Sequence, residues 1–223
     1  TLSHLTVIPS IIRQSDLVIL DHQVHASVQE AVKKLLSQGV TVEMVRHNNL
    51  EMLEDRIKKQ RGKFERIWYM ADSVYSMYGD FAPIKEMIAL AEKYEQLYLY
   101  VDDAHGIGVL GPEGRGSLAV AGLGAREVPL LLVPLGKAFG GQGAVLLGSE
   151  ALVGHVAETA RPYLFSTAPA PAMAAAMRAS LRLIRTESWR RAKLASVVMR
   201  FRRGASARGL PLQESFTPIQ PIV

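Results

Sequence analysis

Short apolar runs rich in Val, Ile, Leu and Tyr alternate along the chain with longer stretches whose apolar residues recur at helical spacing. That alternation predicts an α/β fold, three layers deep, with a mainly parallel sheet. Strands are expected at 17–20, 41–45, 66–70, 97–101, 130–133 and 144–147, with helices at about 24–38, 50–60, 83–95 and 150–159. Pro83 suits a first helical position, where its missing N–H has no bond to lose, and Gly39 suits a helix stop. Beyond about residue 169 the pattern turns wholly helical, with an Ala-rich segment over 171–185, a second helix over 188–207 and a break at Gly209-Leu210-Pro211.

Composition narrows the class. The chain has 223 residues, 48% of them apolar, enough for one large core without covalent staples. No apolar run approaches the ~18 residues of a membrane span. With no cysteine, disulfides, thiolate nucleophiles and cysteine-based zinc sites are excluded. Thr1-Leu2-Ser3-His4 lacks the basic and apolar stretches of a signal peptide, so a cytoplasmic location is expected.

The formal charge is +5, and it is concentrated: 178, 182, 185, 190, 191, 193, 200, 202, 203 and 208 are all Arg or Lys, against the single acid Glu187. A nucleic-acid groove is one reading. The favoured one is a solvated helix face, with Leu181, Leu183, Ile184, Val197 and Val198 forming an ordinary core stripe behind it.

In an open α/β sheet, ligands bind beyond the carboxyl ends of the strands. Four polar clusters fall there: Asp21-His22-Gln23-Val24-His25-Ala26-Ser27, Ala71-Asp72-Ser73-Val74-Tyr75-Ser76, Asp102-Asp103-Ala104-His105-Gly106, and Leu135-Gly136-Lys137-Ala138-Phe139-Gly140-Gly141. Glycines and Phe139 around Lys137 suggest a tight turn with a partly desolvated amine, a setting for Schiff-base chemistry. Asp102 ends an apolar strand, so its carboxylate is expected to be buried and to need a cationic partner. A protonated pyridine nitrogen is one such partner, and an Asp facing that nitrogen with a Lys on the aldehyde marks pyridoxal 5'-phosphate (PLP) sites. The alternatives are a solvated loop lysine and a structural carboxylate.

Two competing motifs are weaker. Gly106-Ile107-Gly108-Val109-Leu110-Gly111 matches a dinucleotide fingerprint but leads into Pro112 and not into a helix that could seat a pyrophosphate. Asp102, Asp103, His105, His22 and His25 are possible metal ligands by type, yet their spacing fits no metal motif.

Read together, these clusters carry a family resemblance. Asp21…His25-Ala26-Ser27, Asp72-Ser-Val-Tyr-Ser76-Met-Tyr-Gly79-Asp80, Val101-Asp102-Asp103-Ala104-His105-Gly106, Gly111-Pro-Glu-Gly114-Arg115-Gly116, Leu135-Gly136-Lys137-Ala138-Phe139-Gly140-Gly141 and Arg161-Pro162-Tyr163-Leu164-Phe165-Ser166-Thr167 resemble the α-oxoamine synthases, in that family's order and over nearly the whole chain. The resemblance implies the large domain of fold-type I PLP-dependent transferases over 1–208, lacking an N-terminal segment, and the start of a truncated small domain over 209–223. An opening that begins mid-pattern and a closing apolar run, 218–223, that reads as half a strand agree with a fragment.

The resemblance also implies roles. Lys137 would bind the cofactor aldehyde and then move the substrate's α-proton. Asp102 would face the ring nitrogen, His105 the phenolic oxygen with Ser76 near the same edge, and His25 the ring's face. Asp72 belongs to the same cofactor-binding set. Ser166 and Thr167 would reach the cofactor phosphate of a neighbouring subunit, which implies a homodimer. The implied reaction condenses a small amino acid with an acyl thioester, acyl-CoA or an acyl carrier, with decarboxylation to an α-amino ketone. No nucleic acid, membrane or metal is expected. The alternatives are a fold-type I aminotransferase and a non-catalytic truncated relative.

One departure stands out. Where the family commonly has a threonine three residues before the lysine, this chain has Pro134, which has neither hydroxyl nor backbone N–H. Losing one such hydrogen bond costs about 0.5–1.5 kcal/mol, more if the partner is charged, so PLP binding is expected to weaken about tenfold.

Overall fold

The computed structural model describes residues 2–124 and 127–223. A turn that the α-oxoamine synthase resemblance implies over one cofactor face, at or before Thr1, lies outside them. Six strands form one sheet: β1 (Asp16–Asp21), β2 (Thr41–Val45), β3 (Arg66–Asp72), β4 (Leu97–Asp102), β5 (Leu130–Pro134) and β6 (Ala144–Gly148). Their spatial order is β2-β1-β3-β4-β5-β6, all parallel except β6, which runs antiparallel to β5. The fold is thus the α/β, mainly parallel one that the alternating pattern predicts.

Helices cover both faces. α1 (Leu2–Ile11), α2 (Ala26–Leu36) and α6 (Glu150–Thr159) lie on one side; α3 (Leu50–Gln60) and α4 (Ile84–Lys93) lie on the other. Strand alternation decides which residue meets which layer. Leu17, Ile19, Tyr69 and Leu99 join Leu53, Ile57 and Met87 in one core cluster. Val18, Leu20, Trp68, Met70 and Tyr100 join Ile8, Val28, Leu35 and Val156 in the other. Strands β1, β3, β4 and β5 are therefore apolar on both faces, and the runs read as continuous and not as alternating.

The register brings the strand ends level. Asp72, the last residue of β3, pairs with Asp102, the last of β4. After β2 the chain crosses back over β1 to β3, so the order reverses beside β1, and the loops at that end open a crevice.

Several expectations change. α1 was not foreseen; its apolar positions carry little helical period and Pro9 sits inside it, yet Ile8 is fully buried. Pro83 is the residue before α4 and not its first helical one, and its carbonyl accepts from Met87 N–H at 2.9 Å. Gly39 does follow α2, at φ +86°. The closing run makes one bridge, Leu212 to Ile222, and no strand.

The core stripe expected behind the basic residues is also revised. On α8 (Pro171–Thr186) and α9 (Ser188–Ser206), Leu181, Leu183 and Val197 are exposed and Val198 is half-buried; of the five, Ile184 packs against the core. α8 meets the rest of the chain along a narrow seam, where Ile184 fits over Gly108 and Gly114, and Met177 over Gly141. Helical spacing gives the direction an apolar face points, but not whether this chain supplies a layer to cover it. Among the described residues no helix is long and apolar enough to cross a membrane.

Candidate active site

The crevice holds a small pocket of about 70 Å³, lined by His4, His25, Ser27, Asp72, Asp102, Ala104, His105, Pro134 and Lys137. Its residues come from five segments whose only common feature is their position at the carboxyl edge of the sheet. His25 caps α2: its Nδ1 accepts from the Ser27 N–H at 3.2 Å and lies 2.6 Å from the Ser27 hydroxyl, so the ring is held by the helix it starts. Lys137 rides a turn closed by hydrogen bonds from Gly141 N–H to Leu135 C=O (2.9 Å) and from Gly140 N–H to Lys137 C=O (3.0 Å). Gly140 has φ +65°, which favours glycine there, and a Cβ on Gly141 would lie 2.1 Å from Met177 Cε, so a side chain at 141 would have to displace the end of Met177. Lys137 is exposed at the pocket's mouth, where a partly desolvated amine was expected, because Phe139 turns down into the core and does not cover it.

Asp102 is the centre of the site. Its Oδ2 accepts from His4 Nε2 at 2.9 Å and its Oδ1 accepts from the Ala104 N–H at 2.9 Å. His4 Nδ1 lies 2.8 Å from the Tyr100 hydroxyl. Burial would push the Asp102 carboxyl up, but the bond to His4, the charge interactions with His4 and Lys137, and the Ala104 N–H outweigh it and hold the pKa below the ordinary range. Asp72 is the reverse case. Burial raises it well above the ordinary range, the Asp102 charge pushes the same way, and its one compensating bond is from the His25 N–H at 3.2 Å.

Of the three pocket histidines, His25 and His105 are pushed down. For His25 burial is the main cause, opposed by Asp102 and assisted by His4 and Lys137. For His105 burial and then the Lys137 charge lower the pKa to about 4. The lowered His25 and His105 thus add little positive charge beside the ionised Asp102, a setting that suits a cationic ring better than an anion.

Of the residues singled out in the sequence, His25, Asp72, Asp102, His105 and Lys137 are brought together; Ser76, Ser166 and Thr167 lie outside the pocket. Ser166 and Thr167 are exposed just beyond α7 (Arg161–Leu164). Asp21 turns away to His47 Nδ1 (2.9 Å) and the Asn48 N–H (2.8 Å). Asp103 is buried on the far side, accepting from the hydroxyls of Ser73 (2.5 Å) and Ser117 (2.7 Å). His22 is exposed, and among the described residues no three His, Asp or Glu side chains are grouped to hold a metal. The glycine fingerprint at 106–111 runs into a 3₁₀ turn, Pro112–Gly114, as its sequence indicates. The residue missed is His4. A lone histidine in an unforeseen helix gives no signal until the fold sets it against a strand end ninety-eight positions away.

Sheet order and pocket together define a large domain of the fold-type I transferase kind. Residues 3–223 match the model of the family described as aminotransferase class I and II. The chain belongs to that family. Its relatives include the 8-amino-7-oxononanoate synthases of Xanthomonas axonopodis pv. citri and Xanthomonas oryzae pv. oryzae, each 46% identical over 211 residues, spanning 94% of this chain and 51% of theirs. Among solved structures, a serine palmitoyltransferase from S. paucimobilis with a PLP–myriocin aldimine superposes with a TM-score of 0.88 at 29% identity, over 99% of this chain and 56% of that one. An 8-amino-7-oxononanoate synthase from Francisella tularensis gives 0.82 at 26% identity, over 99% and 62%. These neighbours bear out the resemblance to the α-oxoamine synthases. The chain spans about half the length of the curated relatives it matches.

Proposed function

We propose that this chain forms the cofactor-holding part of a PLP-dependent α-oxoamine synthase, which condenses a small amino acid with an acyl thioester and releases CO2. The observation that carries the reading is Asp102: a buried, ionised carboxylate facing a pocket that an amine, Lys137, also lines. That donor set fits PLP, whose ring nitrogen takes a proton and whose aldehyde takes a lysine. When bound, the cofactor supplies an electron sink for the carbanion left at the amino acid's α-carbon.

The chain's own residues do the rest. Asp102 would hold positive charge at the ring nitrogen. Lys137 would hold the cofactor's aldehyde and would take the substrate's α-proton at Nζ. The uncharged His25 and His105 line the pocket without adding positive charge that would compete with the ring. Ser166 and Thr167, exposed and away from this pocket, suit a role at the site of a second copy, and so a homodimer.

The name of the 46%-identical relatives suggests the substrates by carbon count. In an 8-amino-7-oxo nonanoate, carbons 8 and 9 are what a three-carbon amino acid keeps after losing CO2. Carbons 1 to 7 are a seven-carbon dicarboxylic acyl group. Alanine and such an acyl thioester, on CoA or a carrier protein, are therefore the proposed pair. The test supplies the protein with PLP, the seven-carbon thioester and either alanine or serine, and follows thiol and CO2 together. Equal release of both with alanine, lost in Lys137→Ala, supports the reading. Equal release with serine in its place corrects the amino acid alone, and amino transfer to a keto acid without thiol release overturns the reading.

A further inference from the structure

Tyr100, His4 and Asp102 form a chain of buried polar groups leading to the pocket. His4 is 1% exposed, between the Tyr100 hydroxyl at 2.8 Å and Asp102 Oδ2 at 2.9 Å. Tyr100 is fully buried, and burial holds its phenol far above the ordinary range, so its oxygen keeps the proton. Among the described residues His4 Nδ1 is the partner the structure gives that O–H. In the uncharged imidazole the phenol therefore donates, Nδ1 accepts, and the ring proton sits on Nε2, where it donates to Asp102.

The consequence falls on the carboxylate. With Oδ2 tied to His4 and Oδ1 tied to the Ala104 N–H, the carboxylate plane is fixed at the strand end, where Asp102 lines the pocket that Lys137 also lines. Asp72 beside it has no comparable support.

We propose that His4 is a positioning residue: relayed from Tyr100, it locks Asp102 as an oriented carboxylate, so that Asp102 and not the adjacent Asp72 takes the ring nitrogen of a pyridine cofactor. This rests on the cofactor reading above and adds a residue to it. His4 touches no substrate and acts through Asp102 alone.

The assignment predicts a graded series. His4→Phe keeps the ring's bulk and removes the donor; His4→Gln restores an N–H close to the place of Nε2; Tyr100→Phe removes the hydroxyl that sets the tautomer. Two readouts besides turnover apply. In the ligand-free protein, long-range 1H–15N spectra of the neutral His4 imidazole should show the Nε2–H tautomer, and a mixture of tautomers in Tyr100→Phe. On titration with PLP, His4→Phe should lose about 10- to 100-fold in affinity, and the pH at which the visible band changes form should rise, because a ring with less positive charge leaves the lysine-bound nitrogen easier to protonate. His4→Gln should recover most of both.

A purely structural His4 would lower the melting temperature without moving the band's pH midpoint. If His4→Phe binds PLP as tightly as wild type with an unchanged midpoint, or if His4 carries its proton on Nδ1, the inference is overturned while the cofactor reading stands. If wild type itself gives no band, the cofactor reading falls and takes this inference with it.

Discussion

Asp72 and Asp102 are register partners on adjacent parallel strands, and their surroundings drive them in opposite directions. Both are buried. Asp102 receives His4 and the Ala104 N–H and is held below the ordinary range; Asp72 receives one backbone N–H and is pushed well above it by burial and by its neighbour's charge. Two carboxylates side by side cannot both ionise cheaply, so unequal hydrogen bonding favours charge on Asp102 over Asp72. A parallel pairing of two strand ends thus biases negative charge toward Asp102.

That asymmetry makes Asp72 a stability liability at neutral pH. A carboxyl with a raised folded pKa contributes stability that is present below its ordinary value of 3.8 and lost as pH rises through the folded value. Asp72→Asn keeps an oxygen for the His25 N–H and has no charge to suppress. Its melting temperature should exceed wild type by about 2–4 °C at neutral pH, with the difference vanishing as the pH approaches the acid end. A difference that is the same at every pH would contradict the assignment.

His47 gives a second test, with the same pH sign but a charged form that the fold favours. Its Nδ1 meets the fully buried Asp21 at 2.9 Å and its Nε2 meets Asp80 at 2.7 Å. Burial lowers its pKa, but the bonds and charges of Asp21 and Asp80 prevail and raise it above 6.5. Its contribution is therefore complete below 6.5 and fades as pH rises through the folded value. Wild type should lose stability relative to His47→Gln across that window, as followed by urea melts at stepped pH.

The loop after β4 depends on two glycines that serve Asp103. A Cβ on Gly116 would lie 2.0 Å from Asp103 Oδ2, and one on Gly106 2.1 Å from Asp103 Oδ1; Gly116 also has φ +88°. Gly116→Ala combines left-handed strain with a clash against a buried carboxylate, and should cost roughly 2–5 kcal/mol in denaturant unfolding. Gly122→Ala, also at positive φ but with nothing near its Cβ, should cost less.

Pro134 lines the pocket at the end of β5, beyond the part of β5 that pairs with β4. Its missing N–H therefore removes no rung between those strands. Pro134→Thr should be tolerated by the sheet and should tighten PLP binding by up to about tenfold, read from the absorbance titration. Unchanged affinity would mean that the hydroxyl has nothing to reach.

The strands, the parallel sheet and the Lys137 turn were legible because each rests on local signals: apolar runs, glycine placement and a polar residue at a strand's end. Asp102 could be picked out for the same reason. What was not legible depends on packing between distant segments. His4 gains meaning from a contact ninety-eight positions away, and Asp72 from strand register. Asp103, adjacent to Asp102 in sequence, points the other way because the strand alternates and two glycines open room for it. Leu181 and Val197 show the converse limit, since helical period marks a face as apolar without telling what covers it.

The central claim is that Lys137 and Asp102 hold one pyridine cofactor between them. The direct measurement is an absorbance titration of the protein with PLP, followed by borohydride reduction and peptide mapping. The account predicts a visible band, and a reduced adduct on Lys137 that Lys137→Ala abolishes. No band at saturating PLP, or an adduct carried by another lysine, would contradict it.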